Sequence, residues 1–493
     1  MNLIPKHGGP RLNEPRPIAF PGHETVEITG LTADSRAVRP GFLFAALPGA
    51  KVSGLDYIDE AIARGAVGIL APEGTRAHTG FPSVAIIEDA LPRRLFAQMA
   101  AAFYGAQPEA VVAVTGTSGK SSTVSFARQL WTGLGLKAAS LGTLGIESDP
   151  ITRYGTLTTA DPVELHADLA ALAKVGVVRA AMEASSHGLD QYRLDGVQVR
   201  AAGFTSFGRD HMDYHPTVDA YLAAKLRLFS DVLLPGGSAV LNADIPEFDR
   251  IAAAAKAAGH PVISYGAHGR ELRIVERKPT AGGQTVKLEI FGHAVALDFP
   301  LVGQFQLMNA LCALGLVIAT ESGDPAHIAK GLENLTGVRG RLELVATLPN
   351  GATAYVDYAH KPDALVAVIE ALRPHTDRKL IVVFGCGGDR DAGKRPIMGE
   401  IAIRLADRVI VTDDNPRTEK PAAIRAAIMA AAPGAIEIGD RAEAIQAAVG
   451  MLGSGDLLVV AGKGHEQGQI VGNTTRPFDD ASVVRDAVAG LRS

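Results

Sequence analysis

Residues 116–122, Gly-Thr-Ser-Gly-Lys-Ser-Ser, carry the most specific chemistry in the 493-residue chain. Gly116 and Gly119 let backbone N–H groups of Thr117 and Ser118 curl around phosphate oxygens, and a helix starting near Ser121 and Ser122 adds its positive end. Lys120 supplies a point charge for the outer phosphates of a nucleotide, and the Ser121 hydroxyl is placed to reach Mg²⁺. The full spacing of such a loop asks for glycine at 114, where the chain has Val114. A plain strand–turn–helix is the competing reading, and Gly-Lys-Ser at a strand end speaks against it.

Other polar residues stand where strands end. Glu183 and His211 follow apolar runs downstream of the loop; a carboxylate suits Mg²⁺, whereas His211 reads equally well as a metal ligand or a structural hydrogen bonder. Lys225, taken alone, reads as a solvated surface lysine. Asp357 can hold a ribose hydroxyl, hold a metal-bound water, or close a strand-end turn. Arg390, Arg417 and Glu466 pair two carboxylate-binding cations with an ammonium-binding anion, which suits an amino acid; surface ion pairing is the alternative.

These side chains need parallel strands to position them. The run 111–114 feeds the loop, 177–183 delivers Glu183, and 201–206 leads to His211. A helix is expected over 218–231, a β-rich insertion over 270–300 and a buried helix over 303–319. The last third repeats strand–loop–helix at 380–384, 408–411 and 457–461, and ligands bind outside such carboxyl ends. Before the loop, 26–90 reads as a small α/β region after an irregular lead-in over 1–25.

The length calls for two to four domains. With 47% hydrophobic and 20% charged residues the chain reads as an ordinary soluble protein, and a net charge of −5 leaves no polyanion footprint for nucleic acid. Cys312 and Cys386 are too few for a disulfide framework or a structural zinc site, so a reducing, cytoplasmic setting is expected. No apolar run approaches about 18 residues, and no export signal or membrane insertion is expected.

Seven motifs taken in order resemble the Mur ligases. They are Thr-Gly-Thr-Ser-Gly-Lys (115–120), Met-Glu-Ala-Ser-Ser-His-Gly-Leu (182–189) and Arg-Asp-His-Met-Asp-Tyr-His (209–215), then Asp-Tyr-Ala-His (357–360), Gly-Cys-Gly-Gly-Asp-Arg-Asp (385–391), Asp-Asp-Asn-Pro-Arg-Thr-Glu (413–419) and Ala-Gly-Lys-Gly-His-Glu (461–466). The resemblance implies an α/β protein of three domains: a small α/β domain for a UDP moiety (1–105), a central mostly parallel ATPase (106–339) and a Rossmann-like amino-acid domain (340–493). It implies an ATP- and Mg²⁺-dependent ligase, acting as a monomer, that adds meso-2,6-diaminopimelate to UDP-N-acetylmuramoyl-L-alanyl-D-glutamate through an acyl phosphate. The rivals are a lysine-adding member, which Arg417 disfavours, and a folylpolyglutamate synthetase, which the N-terminal region disfavours.

The resemblance also assigns residues. Lys225 becomes a carbamylated lysine, which with Glu183 and His211 serves a second Mg²⁺ beside the one that Ser121 reaches. Asn309, Arg341 and Asp357 join the 116–122 loop at ATP. Ser35, Thr158, Thr159, Ser185, Gln191 and Arg193 contact the muramoyl dipeptide. Arg390, Asp414, Asn415, Pro416, Arg417, Gly462 and Glu466 contact diaminopimelate. Three departures stand out: serines replace Asn, Thr and Thr in the loop, Leu157 replaces a common asparagine, and Ser206-Phe207 replace a frequent Asn-Leu.

Overall fold

The computed structural model describes residues 16–18, 25–49, 52–75, 84–155 and 157–491. Most strands pair in parallel and are flanked by helices, an α/β fold. Chain contacts divide it into two compact units, 1–273 with 311–328 and 274–310 with 329–493.

In the first unit the strands Gly30–Thr32, Phe42–Ala45, Gly68–Pro72 and Ala85–Asp89 form a parallel sheet in chain order. Alternating residues serve its two faces. Leu43, Leu70 and Ile87 pack against Leu95, Phe96, Met99 and Phe103 of the helix Pro92–Tyr104, while Phe44 and Ile69 pack against Ile58 and Ala61. The expected irregular lead-in is corrected at one point, because Arg16–Ile18 pairs antiparallel with Val26–Ile28. The rest of 1–24 lies outside the described residues.

A second parallel sheet in this unit runs Ala138–Gly142, Arg179–Glu183, Ala110–Thr115, Val199–Phe204, Leu233–Asn242, Val262–Gly266. Ala110–Thr115 is central and buried at all six positions, so it reads as an unbroken apolar run rather than an alternating one. Val114 pairs with Glu183 on one side and Gly203 on the other, within the strand rather than in the loop. That is why position 114 needs no glycine here. The helix expected over 218–231 is α-helical only over Val218–Arg227 and continues as a π turn, Leu228–Val232.

In the second unit Gly283–Ile290 and His293–Phe299 form an antiparallel hairpin, turned at Phe291 and Gly292 with φ of 47° and 84°. Two positive φ values in succession are the signature of a tight hairpin turn. The helix Gln304–Thr320 begins in this unit. Its main sheet runs Glu343–Thr347, Thr353–Asp357, Leu457–Ala461, Leu380–Phe384, Arg408–Val411, Ile436–Glu437, the first strand antiparallel and the rest parallel. Tyr355, Val382, Phe384 and Val459 meet Leu365, Ile369, Met398 and Ile428 on one face. Val356, Ile381, Val383, Leu458 and Val460 meet Ile445, Val449 and Val484 on the other. Burial on both faces fixes the register of the central strands Thr353–Asp357, Leu457–Ala461 and Leu380–Phe384, and the loops at the carboxyl ends of the parallel strands lie on one edge.

Candidate active site

The phosphate loop follows its strand directly into the helix Lys120–Gly133. Gly116 and Gly119 have φ of 141° and 91°, and a Cβ on Gly116 would lie 2.0 Å from Thr205 Oγ1. Neighbours that the sequence reading left unexplained clasp the loop from the next strand end. Thr117 N donates to Ser206 O (2.8 Å), Ser118 N to Ser206 Oγ (2.9 Å), and Thr205 Oγ1 to Ser118 O (2.6 Å). Ser206 therefore supplies loop contacts of its own.

Two lysines converge on one carbonyl. Lys120 Nζ donates to Gly116 O (2.8 Å) and Thr117 O (3.0 Å), and Lys225 Nζ donates to the same Gly116 O (2.9 Å). Lys225 is 1% exposed, which corrects the surface reading made from the residue alone. Its helix faces the loop, and its Nζ sits 4.4 Å from the Tyr221 ring centroid. Burial, and after it the Lys120 charge, presses the Lys225 ammonium well below the usual lysine range. A lowered pKa leaves more of the amine unprotonated, and the unprotonated amine is the nucleophile that carbamylation requires.

Tyr221 ties these groups together. Its hydroxyl lies 3.1 Å from Thr117 Oγ1, and the His211 ring stands 6.3 Å from its ring. His211 is exposed with φ of 54°, an uncommon conformation for a non-glycine residue, and packs edge-on against His187 at 4.7 Å. Glu183 is 2% exposed; Thr143 N donates to its Oε1 (2.8 Å) and Thr143 Oγ1 to its Oε2 (3.3 Å). Glu183 and Ser121 line one partly open cleft. A buried carboxylate beside a hydroxyl is a hard-oxygen donor set of the kind Mg²⁺ prefers, so these residues fit that ion. Among the described residues no three His, Cys, Asp or Glu side chains form a ready metal cluster.

Next to Glu183 a chain of hydrogen bonds gathers most of the residues assigned to the muramoyl dipeptide. Thr158 Oγ1 meets Thr143 Oγ1 (3.0 Å), and Thr159 Oγ1 donates to Glu183 O (2.9 Å). Ser185 Oγ donates to Thr159 Oγ1 (3.1 Å), Arg193 Nη1 donates to Thr159 O (2.7 Å), and Arg193 Nη2 donates to Gln191 Oε1 (2.7 Å). Thr158 and Thr159 also line a cleft of about 430 Å³ with Glu183 and Leu157. Ser35 stands apart from this network, bonded to Glu60 Oε2 at 3.4 Å.

In the second unit Asp357 is 8% exposed and accepts from Leu342 N (2.6 Å) and Ala359 N (2.7 Å), bonds that shape the strand-end turn. Burial raises its carboxyl to about 6 against the pull of Arg341. Arg341 lies 4.7 Å over the Tyr358 ring, and its carbonyl accepts from Gln306 on the helix that carries the buried Asn309. His465 stacks 5.0 Å from Tyr358, and burial, then Arg341, lowers its imidazole to about 4.

The three carboxyl-end loops of this unit meet. Asn415 Nδ2 donates to Glu466 Oε2 (2.9 Å), and Gly462 is close enough that a Cβ would lie 2.8 Å from Asp414 Oδ2. Arg417, at φ of 50°, anchors one end of its guanidinium on Gly388 O (2.8 Å). Neither Arg417 nor the exposed Arg390 has a carboxylate partner among the described residues. The two guanidinium groups thus stand near Asp389 without a direct ion pair, on the same rim as Asp414 and Glu466.

Three family models match the chain: Mur ligase family, catalytic domain, over 27–112; Mur ligase middle domain over 114–317; and Mur ligase, glutamate ligase domain, over 340–464. A relative from Rhizobium meliloti, named UDP-N-acetylmuramoyl-L-alanyl-D-glutamate–2,6-diaminopimelate ligase, is 56% identical over 468 residues, 95% of each chain. The chain belongs to the Mur ligase family. It has that family's three-domain architecture and is an ATP-dependent ligase. A solved structure of a ligase with the same name superposes with a TM-score of 0.72 at 32% identity, covering 95% of this chain and 96% of that one. The MurF ligase of Thermotoga maritima, solved with ADP, shares the fold at a TM-score of 0.62 and 19% identity, over 94% and 98% of the two chains.

Proposed function

We propose that this Mur ligase joins meso-2,6-diaminopimelate to UDP-N-acetylmuramoyl-L-alanyl-D-glutamate at the expense of ATP, a step of peptidoglycan precursor synthesis in the cytoplasm. What carries the reading is the near-full-length identity to relatives named for that reaction, joined to an Arg417 that has no carboxylate partner in the Asp-Asn-Pro-Arg loop. No helix among the described residues is long and apolar enough to cross a membrane.

The D-glutamate carboxylate of the nucleotide substrate takes the γ-phosphoryl group of ATP, giving an acyl phosphate and ADP. The diaminopimelate amine then attacks the acyl carbon, loses its proton and expels phosphate, leaving the new amide. Positioning and charge neutralisation do most of the work in such a transfer. Lys120 and the N–H groups of 116–122 hold the phosphates, with Asn309, Arg341 and Asp357 assigned to the nucleotide. Ser121 would hold one Mg²⁺ at the loop, and Glu183, His211 and carbamylated Lys225 a second; Mg²⁺ when bound supplies positive charge to the phosphoryl oxygens. Ser35, Thr158, Thr159, Ser185, Gln191 and Arg193 orient the muramoyl dipeptide.

Arg390 and Arg417 receive diaminopimelate carboxylates, Glu466 receives an ammonium, and Asp414, Asn415, Pro416 and Gly462 shape the pocket. Domains of 1–105, 106–339 and 340–493 carry the three tasks, and the chain acts as a monomer. The test is phosphate release with ATP and the muramoyl dipeptide, comparing meso-diaminopimelate with L-lysine. Release that depends on diaminopimelate is expected. Preference for lysine, or no release with either, overturns the reading.

A further inference from the structure

Lys463 is a buried cation that the reaction as written does not use. It is 0% exposed, yet it lies two residues past the strand Leu457–Ala461, at the rim where the amino acid is to be received. Its strand, Leu457–Ala461, is separated from Arg408–Val411 by Leu380–Phe384, so the loops after the two outer strands start about 10 Å apart. They meet because the turn between them has glycine at 385, 387 and 388. A Cβ on Gly385 would lie 2.3 Å from Thr412 O, and one on Gly388 would lie 2.0 Å from Pro416 O. The 412–416 loop therefore folds over that turn and reaches Lys463.

There the lysine binds both sides. Nζ donates to Asn415 Oδ1 (3.0 Å) and to Glu466 Oε2 (3.0 Å), and Asp414 Oδ1 stands 3.9 Å away. Asn415 is pinned further, since Ile470 N also donates to its Oδ1 (2.9 Å) and its own Nδ2 donates to Glu466 Oε2. Both lone pairs of the Asn415 carbonyl are thus used inside the protein. The same bonds occupy one oxygen of Glu466 and leave Oε1 outside the clasp. A buried ammonium with two anions and an amide around it holds their spacing and their orientation at once.

We propose that Lys463 is a positioning residue for the amino-acid substrate: it locks Asn415 and Glu466 into one rigid receptor and turns Glu466 Oε1 towards the substrate's ammonium. The inference rests on the assignment of this rim to diaminopimelate. It predicts a change in the amino-acid step and none at the nucleotide. In the full chain, with ATP and the muramoyl dipeptide, Lys463→Met should raise KM for diaminopimelate at least tenfold. KM for ATP should stay within twofold.

Lys463→Arg keeps the charge but not the short reach, so its KM for diaminopimelate should lie between those of Lys463→Met and the parent. If Lys463→Met does not fold, Lys463→Arg alone carries the test, with a KM rise of at least threefold expected. An unchanged KM for diaminopimelate in a folded variant, or KM values for both substrates rising together, overturns the inference while leaving the proposed function intact. Failure of both variants to fold also overturns it, by assigning Lys463 to the fold alone. Absence of diaminopimelate-dependent phosphate release in the parent overturns both readings.

Discussion

Arg417 holds a left-handed backbone conformation that costs a non-glycine residue about 1 kcal/mol or more, and the antiparallel hairpin Gly468–Val471 with Thr474–Pro477 supplies the compensation. Arg417 N donates to Ile470 O (3.1 Å) and Gly472 N donates back to Arg417 O (2.7 Å). With its backbone and one guanidinium nitrogen held, the side chain loses little freedom on meeting a carboxylate. Arg417→Ala should therefore lower kcat/KM for diaminopimelate by about 100-fold, roughly 3 kcal/mol, as expected for losing one charged hydrogen-bonded partner. KM for ATP should not move. Steady-state kinetics with each substrate varied in turn would expose the error if both constants shift or neither does. Lys225 teaches the opposite lesson at this scale. Its lysine type and helical position carried no sign of burial, because the carbonyl it donates to belongs to Gly116, 109 residues earlier in the chain.

At the level of elements, the phosphate loop is a strand end, a helix start and a clasp from the neighbouring strand. The first two were legible in the sequence, since an apolar run followed by Gly-Thr-Ser-Gly-Lys leaves few alternatives. The clasp by Thr205 and Ser206 was not, because pairing between non-consecutive strands leaves no local pattern. The same divide runs through the second unit, where three strand-end loops could be read off as polar and glycine-containing while their meeting across the sheet could not. Lys225 and Ser206 thus mark where residue type stops being informative: both act through partners distant in sequence. Gly116→Ala would place a methyl group 2.0 Å from Thr205 Oγ1 at a φ of 141°. It should destabilise the protein by about 2–4 kcal/mol in urea titration and abolish measurable ATP-dependent turnover. A variant with parental stability would show that the clasp yields.

For the whole molecule, burial of titratable groups sets the pH range of stability. His166 is 1% exposed, and burial takes its imidazole from 6.5 to about 4. The folded chain thus binds fewer protons than the unfolded one between those values. Its stabilising contribution is complete above pH 6.5 and is lost as pH falls towards 4, on the order of 3 kcal/mol in all. Asp168, raised to about 6 chiefly by burial against the opposing charge of Arg153, works in the other sense over part of the same range. His166→Gln should flatten the acid limb of the urea-derived stability curve relative to the parent. Parallel curves from pH 6.5 to 4 would rule out the assignment. The crowded turn at 385–388 has a consequence of another kind, for descent. A first mutation at Gly385 or Gly388 drives a methyl group into a backbone oxygen before any new preference can be gained. Arg390 is exposed and Arg417 only half-buried, so neither meets that barrier. A lineage acquiring a different amino-acid substrate would change those two arginines first and inherit the glycines unaltered.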